Sequence, residues 1–207
     1  MDTLITQKAQ ELFFSYGLRS VSMDDIARQS GISKKTLYQH FADKQELVDC
    51  VVTGLLTAHA EEAGHCAAQA RNAVDEVAQQ LELPFRLLAA ISPGFFYELE
   101  KYFPATWIRL QEYRRRSLGP CIAANLERGQ REGLYRDGLP GALTVEIRLQ
   151  QLRTALNPAG FTDRRSDPAS LMRALTDFYL QAICTTKGRK LITEHFNSDH
   201  DIQANKN

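Results

Sequence analysis

The sequence of 207 residues predicts an all-α protein, with a small N-terminal three-helix domain followed by a larger helical domain. Two observations carry this prediction. Apolar residues recur three and four positions apart along most of the chain, whereas the alternation typical of strands is rare. The hydrophobic content of 43% is enough to bury one large core and one small core.

The first predicted helix covers residues 5–16. Its apolar positions repeat at helical spacing, so one side of the helix faces a core. These positions are Ile5, Ala9, Leu12, Phe13 and Tyr16. Gly17 follows directly and is predicted to end the helix.

A second helix is predicted to begin directly after Ser22, because Ser22 and Asp25 have the spacing of a capping box. The hydroxyl accepts a backbone N–H in such a start, and the carboxylate lies in the positive first turn. Ile26 and Ala27 fall on the buried side of this helix. Gly31 ends it, at a position where a positive φ angle is expected.

A third helix follows after a short turn and is capped by Ser33. Leu37 and Phe41 lie four residues apart and anchor this helix to a core. Ala27 is small enough to let the second and third helices cross closely, and Gly31 supplies the tight turn between them. The pattern is that of a helix-turn-helix, whose last helix turns its other side outward.

The outward side of the third helix carries basic and polar residues, here called the recognition face: Lys34, Lys35, Thr36, Gln39 and His40. Lysine side chains neutralise phosphates, and the polar side chains have donors and acceptors suited to base edges. From residue 28 to residue 44 there are four Lys or Arg and one acidic residue, although the whole chain has 25 of each charge. Positive charge is therefore concentrated at this site. The alternative is a helical hairpin with a solvated lysine side.

Residues 4–55 resemble the DNA-binding domain of the tetracycline-repressor (TetR) family. The resemblance rests on the run Leu37–Phe41 followed by Asp43–Leu47, and on the preceding helix Ile5–Tyr16. It implies phosphate contacts from Ser22, Tyr38 and Lys44. It also implies base contacts from the exposed side of the third helix, at Ser33, Lys34, Lys35, Thr36, Gln39 and His40.

One departure concerns position 35, which is often small in the family and is a lysine here. The DNA sequence that this helix binds therefore cannot be inferred from the DNA sequence that a relative binds. We expect residues 1–46 to form the DNA-binding domain and residues 47–207 to form an effector-binding and dimerisation domain. Asp43 is predicted to cap the fourth helix, which joins the two domains without a flexible linker.

Six further helices are predicted from apolar spacing: 74–91, 93–101, 104–118, 122–132, 143–156 and 171–185. Pro84 is expected to kink the first of them, and Pro104 to begin the third. Residues 157–167 are expected to form a loop, and residues 198–207 a frayed tail. The run Arg114–Arg116 is interpreted as a solvated helix side.

Seven aromatic residues fall within positions 95–113. Helical spacing places one set along one side of two linked helices, here called the aromatic cluster: Phe96, Leu99, Phe103, Trp107 and Leu110. One interpretation is a plain aromatic core. The other is a pocket for a small apolar or aromatic effector, which the family resemblance implies.

Several classes of protein are not expected. The sequence has no nucleophile triad, metalloprotease motif or phosphate-binding glycine loop, so neither an enzyme nor a cofactor or metal is expected. No run of about 20 apolar residues predicts a membrane span, and no signal peptide is predicted, so the expected location is the cytoplasm. The four scattered cysteines favour reduced thiols, and the pair His65–Cys66 points in two directions on a helix.

These observations predict a homodimer that binds a palindromic operator on double-stranded DNA and represses transcription until an effector is bound. One short helix reads too few bases for useful specificity, which favours two copies. The resemblance implies that the helices 143–156 and 171–185 form the dimer contact. Two alternatives remain: a regulator controlled by a protein partner, and an enzyme that has kept a helix-turn-helix domain.

Overall fold

The computed structural model describes residues 1–81, 91–92, 94–156 and 168–196. Within these residues the chain forms eleven α-helices and no strand, apart from an isolated antiparallel bridge between Tyr135 and Cys184. The all-α prediction is confirmed. The predicted kink at Pro84, the loop 157–167 and the tail 198–207 lie outside the described residues.

The helices are numbered in chain order. The first five are α1 (Asp2–Tyr16), α2 (Met23–Gln29), α3 (Lys34–His40), α4 (Lys44–Gln69) and α5 (Ala73–Gln80). Then follow α6 (Phe95–Tyr102), α7 (Pro104–Tyr113), α8 (Gly119–Arg131), α9 (Gly141–Leu156), α10 (Pro168–Ile183) and α11 (Thr186–Phe196). A π-helical segment, Arg114–Leu118, joins α7 to α8. The sequence analysis did not predict α11.

The backbone divides into two compact units. The first comprises Met1–His59 and Leu87–Tyr113, and the second comprises Ala60–Arg86 and Arg114–Asn207. Helix α4 is continuous and belongs to the first unit as far as His59. The functional boundary after residue 46 stays a prediction.

The core of the first unit is built by α1 to α4 together with α6 and α7. Phe13, Leu37 and Leu47 are fully buried in it. Phe14 is also buried, and its ring meets that of Phe95 edge-on with centroids 5.6 Å apart. The buried stripe of α1 therefore includes Phe14 in place of Tyr16, which is 68% exposed.

The aromatic cluster belongs to this same core. Leu99, Phe103 and Leu110 are buried there, and Phe96 and Trp107 are partly buried and pack against it. This packing favours the interpretation as an aromatic core. The effector pocket at these residues stays a prediction.

The second unit has its own core, which contains Tyr135 and Leu180. Arg128 on α8 lies beside this core and donates to Glu76 at 2.9 Å and to Glu132 at 2.8 Å. Another N–H of the same guanidinium donates to the Ala70 carbonyl at 2.7 Å, just beyond the end of α4. Two carboxylates and the backbone carbonyl of Ala70 thus offset the cost of partly burying the Arg128 cation.

The arginine run after Tyr113 only partly follows the prediction of a solvated side. Arg115 and Arg116 are exposed, but Arg114 is buried and donates to the Leu149 carbonyl. A π-helical turn holds more residues than an α-helical turn, so it shifts the side on which later residues lie. This register shift is not visible in the sequence.

Two further predictions concern cysteines and membrane spans. The four cysteines form no disulfide with one another, and in α4 Cys66 is buried while His65 is exposed. Within the described residues, no helix combines the length and apolar composition that crossing a membrane requires.

Candidate nucleic-acid interface

The start of α2 is fixed by a reciprocal cap. The Ser22 hydroxyl accepts the Asp25 N–H at 3.2 Å, and the Asp25 carboxylate accepts the Ser22 N–H at 3.0 Å. The hydroxyl also donates to this carboxylate at 2.6 Å. These hydrogen bonds from Ser22 lower the pKa of Asp25. The predicted capping box is confirmed, and it already engages the Ser22 hydroxyl that the family resemblance assigns to phosphate.

The crossing of α2 and α3 also follows the prediction. Ile26 and Ala27 are buried, and Gly31 has a φ angle of 68°, which an L side chain rarely adopts. Leu37 is fully buried and Phe41 is nearly so. The tight turn and these anchors leave the opposite side of α3 facing outward.

The N-terminus of α3 is capped by Ser33, whose hydroxyl accepts the Thr36 N–H at 3.0 Å. The Thr36 hydroxyl lies 2.8 Å from the same oxygen, and its residue is half-buried. Ser33 and Thr36 therefore form the cap of α3, and Thr36 also belongs to the recognition face. The methyl group of Thr36 remains as a group suited to a thymine contact.

Lys35, Tyr38 and Gln39 are exposed on the outward side of α3. Over the part of the chain that the structure describes, none of these side chains has a hydrogen-bond or ion-pair partner. Tyr38 is 44% exposed although it is aromatic. A cation, a phenol and an amide thus face solvent on one short helix, which is the chemistry that phosphate and base contacts require.

Lys34 and His40 have acidic partners from other helices. The Lys34 ammonium lies 2.7 Å from the Asp24 carboxylate, and this hydrogen bond raises the pKa of Lys34. His40 Nδ1 lies 2.5 Å from Asp2 Oδ1. Lys34 and Asp24 are both largely exposed, so a phosphate would compete with a weak surface pair.

Lys44 lies against the turn between α1 and α2. Its ammonium is 3.4 Å from the Arg19 carbonyl oxygen and 5.9 Å from the centroid of the Phe13 ring. Partial burial lowers the pKa of Lys44, although Glu98 and Asp25 act in the opposite direction. The hydrogen bond to the Arg19 carbonyl uses one of the three N–H groups of the Lys44 ammonium.

The start of α4 is capped as predicted. The Asp43 carboxylate accepts the Glu46 N–H at 2.8 Å, and the Glu46 carboxylate accepts the Ala42 N–H at 2.7 Å. The turn between α3 and α4 is thereby held at both ends. These two hydrogen bonds fix the conformation of the turn and therefore the direction of α3 relative to α4.

The sequence profile of bacterial regulatory proteins of the tetR family matches residues 5–51. Residues 5–51 therefore form a domain of the tetR family, here called the tetR-family domain. A curated relative, the HTH-type transcriptional repressor KstR2 of Mycobacterium tuberculosis, is 36% identical over 78 residues. That alignment covers 38% of this chain and 36% of the repressor, so the match spans little more than a third of the relative's length.

Solved structures extend the likeness in fold beyond this tetR-family domain. A TetR-family regulator from Agrobacterium tumefaciens has a TM-score of 0.71 at 21% identity, and the match covers 89% of this chain and 97% of that one. A regulator from Saccharomonospora viridis, solved in complex with choline, has a TM-score of 0.70 at 18% identity, with coverage of 89% and 97%. At these identities the likeness shows the fold.

Residues 14–59 are joined to residues 92–113 by polar contacts between residues distant in sequence, most of which involve α6 and α7. They join Phe14 O to Ser92 N (2.7 Å), Arg19 N to Glu98 Oε2 (2.9 Å), Gln45 Nε2 to Thr106 Oγ1 (2.9 Å), Asp49 to Arg109 (3.1 Å) and His59 Nδ1 to Tyr113 Oη (2.6 Å). Thr106 is fully buried. Sequence analysis missed these supports, because nothing local indicates which helix packs on α1 and α4.

Proposed function

We propose that this chain is a ligand-responsive transcriptional repressor that binds a palindromic operator as a homodimer. The observation that carries the proposal is the capped α3 helix, which presents Lys35, Tyr38 and Gln39 to solvent. A recognition helix of this kind enters the major groove, with its N-terminal half against the base edges.

The roles of the outward residues divide by chemistry. Tyr38 and Lys44 act on phosphates, because Tyr38 is an exposed phenol on α3 and Lys44 is the first residue of α4. Gln39 acts on bases, since its amide can pair with adenine through two hydrogen bonds. Lys35 supplies an exposed cation that no described carboxylate neutralises.

The test is operator binding by alanine variants, on an operator selected from a random DNA pool. Tyr38→Ala and Lys44→Ala should weaken binding to all sequences. Lys44→Ala removes a positive charge and should also lower the slope of log K against log salt by about 0.9, whereas Tyr38→Ala, which removes a neutral group, should leave this slope unchanged. Gln39→Ala should relax the preference at one position of the site. Lys190→Ala, which removes an exposed cation of α11, is the matched control.

Two results would contradict the assignment. One is wild-type affinity for both the Tyr38 and the Lys44 variants at moderate salt. The other is an unchanged sequence preference in the Gln39 variant. A selected operator without two-fold symmetry would argue against the dimer alone.

A dimer contact at α9 and α10 is supported by apolar side chains on their exposed sides. Phe178 on α10 is 71% exposed, and Leu143 and Ile147 on α9 are about half exposed, four residues apart. Exposed apolar groups concentrated on two neighbouring helices mark a protein interface. These three residues are more exposed than Leu152 and Leu175 of the same two helices, which are half-buried, so they are the best candidates for contact with a second copy.

The ligand response is supported by the neighbour bound to choline and by the contacts of α6 and α7 with the tetR-family domain. A ligand changes the DNA affinity only to the extent that it binds two arrangements of the protein differently. Contacts such as Gln45 with Thr106 lie where a displacement of α7 would reach α4 directly.

A further inference from the structure

A buried arginine lies between α9 and α10. Arg148 is 4% exposed, and its guanidinium donates to the hydroxyl of Thr176 at 2.8 Å. The guanidinium carbon is 4.8 Å from the centre of the Tyr179 ring. Both partners are on α10 and are themselves buried.

No carboxylate compensates this cation among the described residues. Arg128 in the same unit provides the contrast, because it is paired with Glu76 and Glu132 and its pKa is raised. Burial lowers the pKa of Arg148 to about 10, and the phenols of Tyr179 and Tyr135 only partly oppose this shift. Buried charges are almost always paired, since removing an isolated ion from water is costly.

The cation and one neighbouring group, the Tyr179 hydroxyl, have unused hydrogen-bonding capacity. The Tyr179 hydroxyl is buried and has no hydrogen-bond partner, and burial raises its pKa to about 12, so it is a protonated donor. The Arg148 guanidinium has five N–H groups, of which its bonds to Thr176 and Gln151 use two. The Thr176 hydroxyl is already satisfied, because it also donates to the Met172 carbonyl at 2.8 Å.

We propose that Arg148, with the Tyr179 hydroxyl as a second donor, binds the carboxylate of an apolar organic acid, and that this acid is the effector. The inference rests on the proposed ligand response and names the ligand class. A planar guanidinium matches a carboxylate through two parallel hydrogen bonds. One buried cation balances one negative charge, which favours a carboxylate over a doubly charged phosphate.

We take the rest of the ligand to be apolar because the Tyr179 ring, against which Arg148 lies, belongs to the apolar core of the second unit. Leu180 and Ile183 on α10 are buried in the same core. Polar groups in these surroundings would lose their hydration without gaining partners.

The experiment is calorimetric titration with octanoate, decanoate and benzoate, and with octanol, decanol and benzyl alcohol as neutral counterparts. At least one acid should bind the wild type, and Arg148→Met should weaken this binding roughly 10- to 100-fold. Tyr179→Phe should weaken it roughly 3- to 10-fold. Arg153→Met, which removes an exposed cation from the same helix, should bind like the wild type.

The variant is expected to fold, because methionine removes a buried charge that has no acidic partner. Without ligand, Arg148→Met should unfold at the same or a higher temperature than the wild type. Decanoate should then raise the unfolding temperature of the wild type and leave that of the variant unchanged. A merely structural arginine would not produce this difference.

The inference is overturned if none of the acids binds, if the alcohols bind as tightly as the acids, or if Arg148→Met keeps the wild-type affinity. It is also overturned if chloride displaces the acid and stabilises the protein equally, because an inorganic counter-ion then fills the site. An acid that binds through Arg148 but never releases operator DNA overturns the effector role. If another compound releases the operator while these acids do not bind, the ligand response stands and the carboxylate site falls.

Discussion

Gly17→Ala is the substitution in the first unit whose cost follows most directly from the structure. Gly17 ends α1 with φ 85° and ψ 163°, and its N–H donates to the Phe13 carbonyl at 2.9 Å. This region of backbone conformation is essentially restricted to glycine. A methyl group at this position would also lie 3.0 Å from Glu98 Oε2. That oxygen accepts the Arg19 N–H at 2.9 Å within the same turn.

The two effects set the expected magnitude. Holding a side-chain-bearing residue in this conformation costs about 1–3 kcal/mol. Displacing the Glu98 carboxylate weakens a hydrogen bond to a charged acceptor, a bond that contributes about 1.5–3 kcal/mol when fully formed. We expect the free energy of unfolding to fall by about 2–4 kcal/mol, a large share of the 5–15 kcal/mol typical of a domain.

Gly31→Ala is the matched control, because Gly31 has φ 68° and no atom within 4 Å of an added methyl group. It should cost about 1–2 kcal/mol from the left-handed conformation alone. Urea unfolding followed by circular dichroism measures both variants. If Gly17→Ala is no more destabilising than Gly31→Ala, the role assigned to the Glu98 contact is wrong.

Three other predictions follow from particular side chains. Phe178→Glu should yield monomers in sedimentation velocity, whereas Ile108→Glu, which also replaces an exposed apolar residue, should leave the dimer intact; a dimeric Phe178 variant would refute the α10 contact. Hydrogen bonds from Arg71 lower the pKa of Asp75 to about 2, so the charged form favours folding, and the stability difference between wild type and Asp75→Asn should shrink as the pH falls from about 5 to about 2. Urea unfolding across this range measures the difference, and a constant difference would contradict the assignment. Trp107→Phe should leave the affinity for decanoate unchanged in calorimetry, whereas a marked loss would support the effector pocket in the aromatic cluster.

The parts of the site that could be predicted from sequence are local. The Ser22–Asp25 cap joins residues three positions apart, and the turn at Gly31 depends on the backbone angle of Gly31 itself. Such features are set by short-range hydrogen bonds and sterics, which the order of residues reveals. The family resemblance added roles for Tyr38 and Lys44, but it could not predict that Lys44 lies against the Phe13 ring.

The parts that could not be predicted depend on partners far along the chain. Asp2 meets His40, and Glu98 meets the backbone of Arg19, only because the fold brings separate helices together. Arg148 has the sequence surroundings of an ordinary helix arginine, so its burial could not be read from spacing. A charged residue in a helix is normally expected on the exposed side.

Helix α11 was missed for a related reason. Its sequence is rich in charged and polar residues and contains Gly188, which weakens a helix prediction. In the structure, an added methyl group at Gly188 would lie 2.3 Å from the Leu134 carbonyl oxygen. The glycine therefore serves a close approach between distant segments, and tertiary packing stabilises a helix that local propensity does not favour.

In the first unit, α1 to α4 share one core with α6 and α7, so a ligand that displaces α6 or α7 would act directly on the helices that position α3. The sequence predicts a DNA-binding domain over residues 1–46, and in the structure Phe95 and Leu99 are buried in the same core as Leu37 of α3. A single neutral hydrogen bond such as that between Gln45 and Thr106 contributes about 0.5–1.5 kcal/mol. Because about 1.4 kcal/mol corresponds to a tenfold change in affinity, gaining or losing one or two of these contacts is sufficient for a regulatory effect. On the proposed function, the response therefore requires only a small repacking of α6 or α7 against α1 and α4, without unfolding of the tetR-family domain.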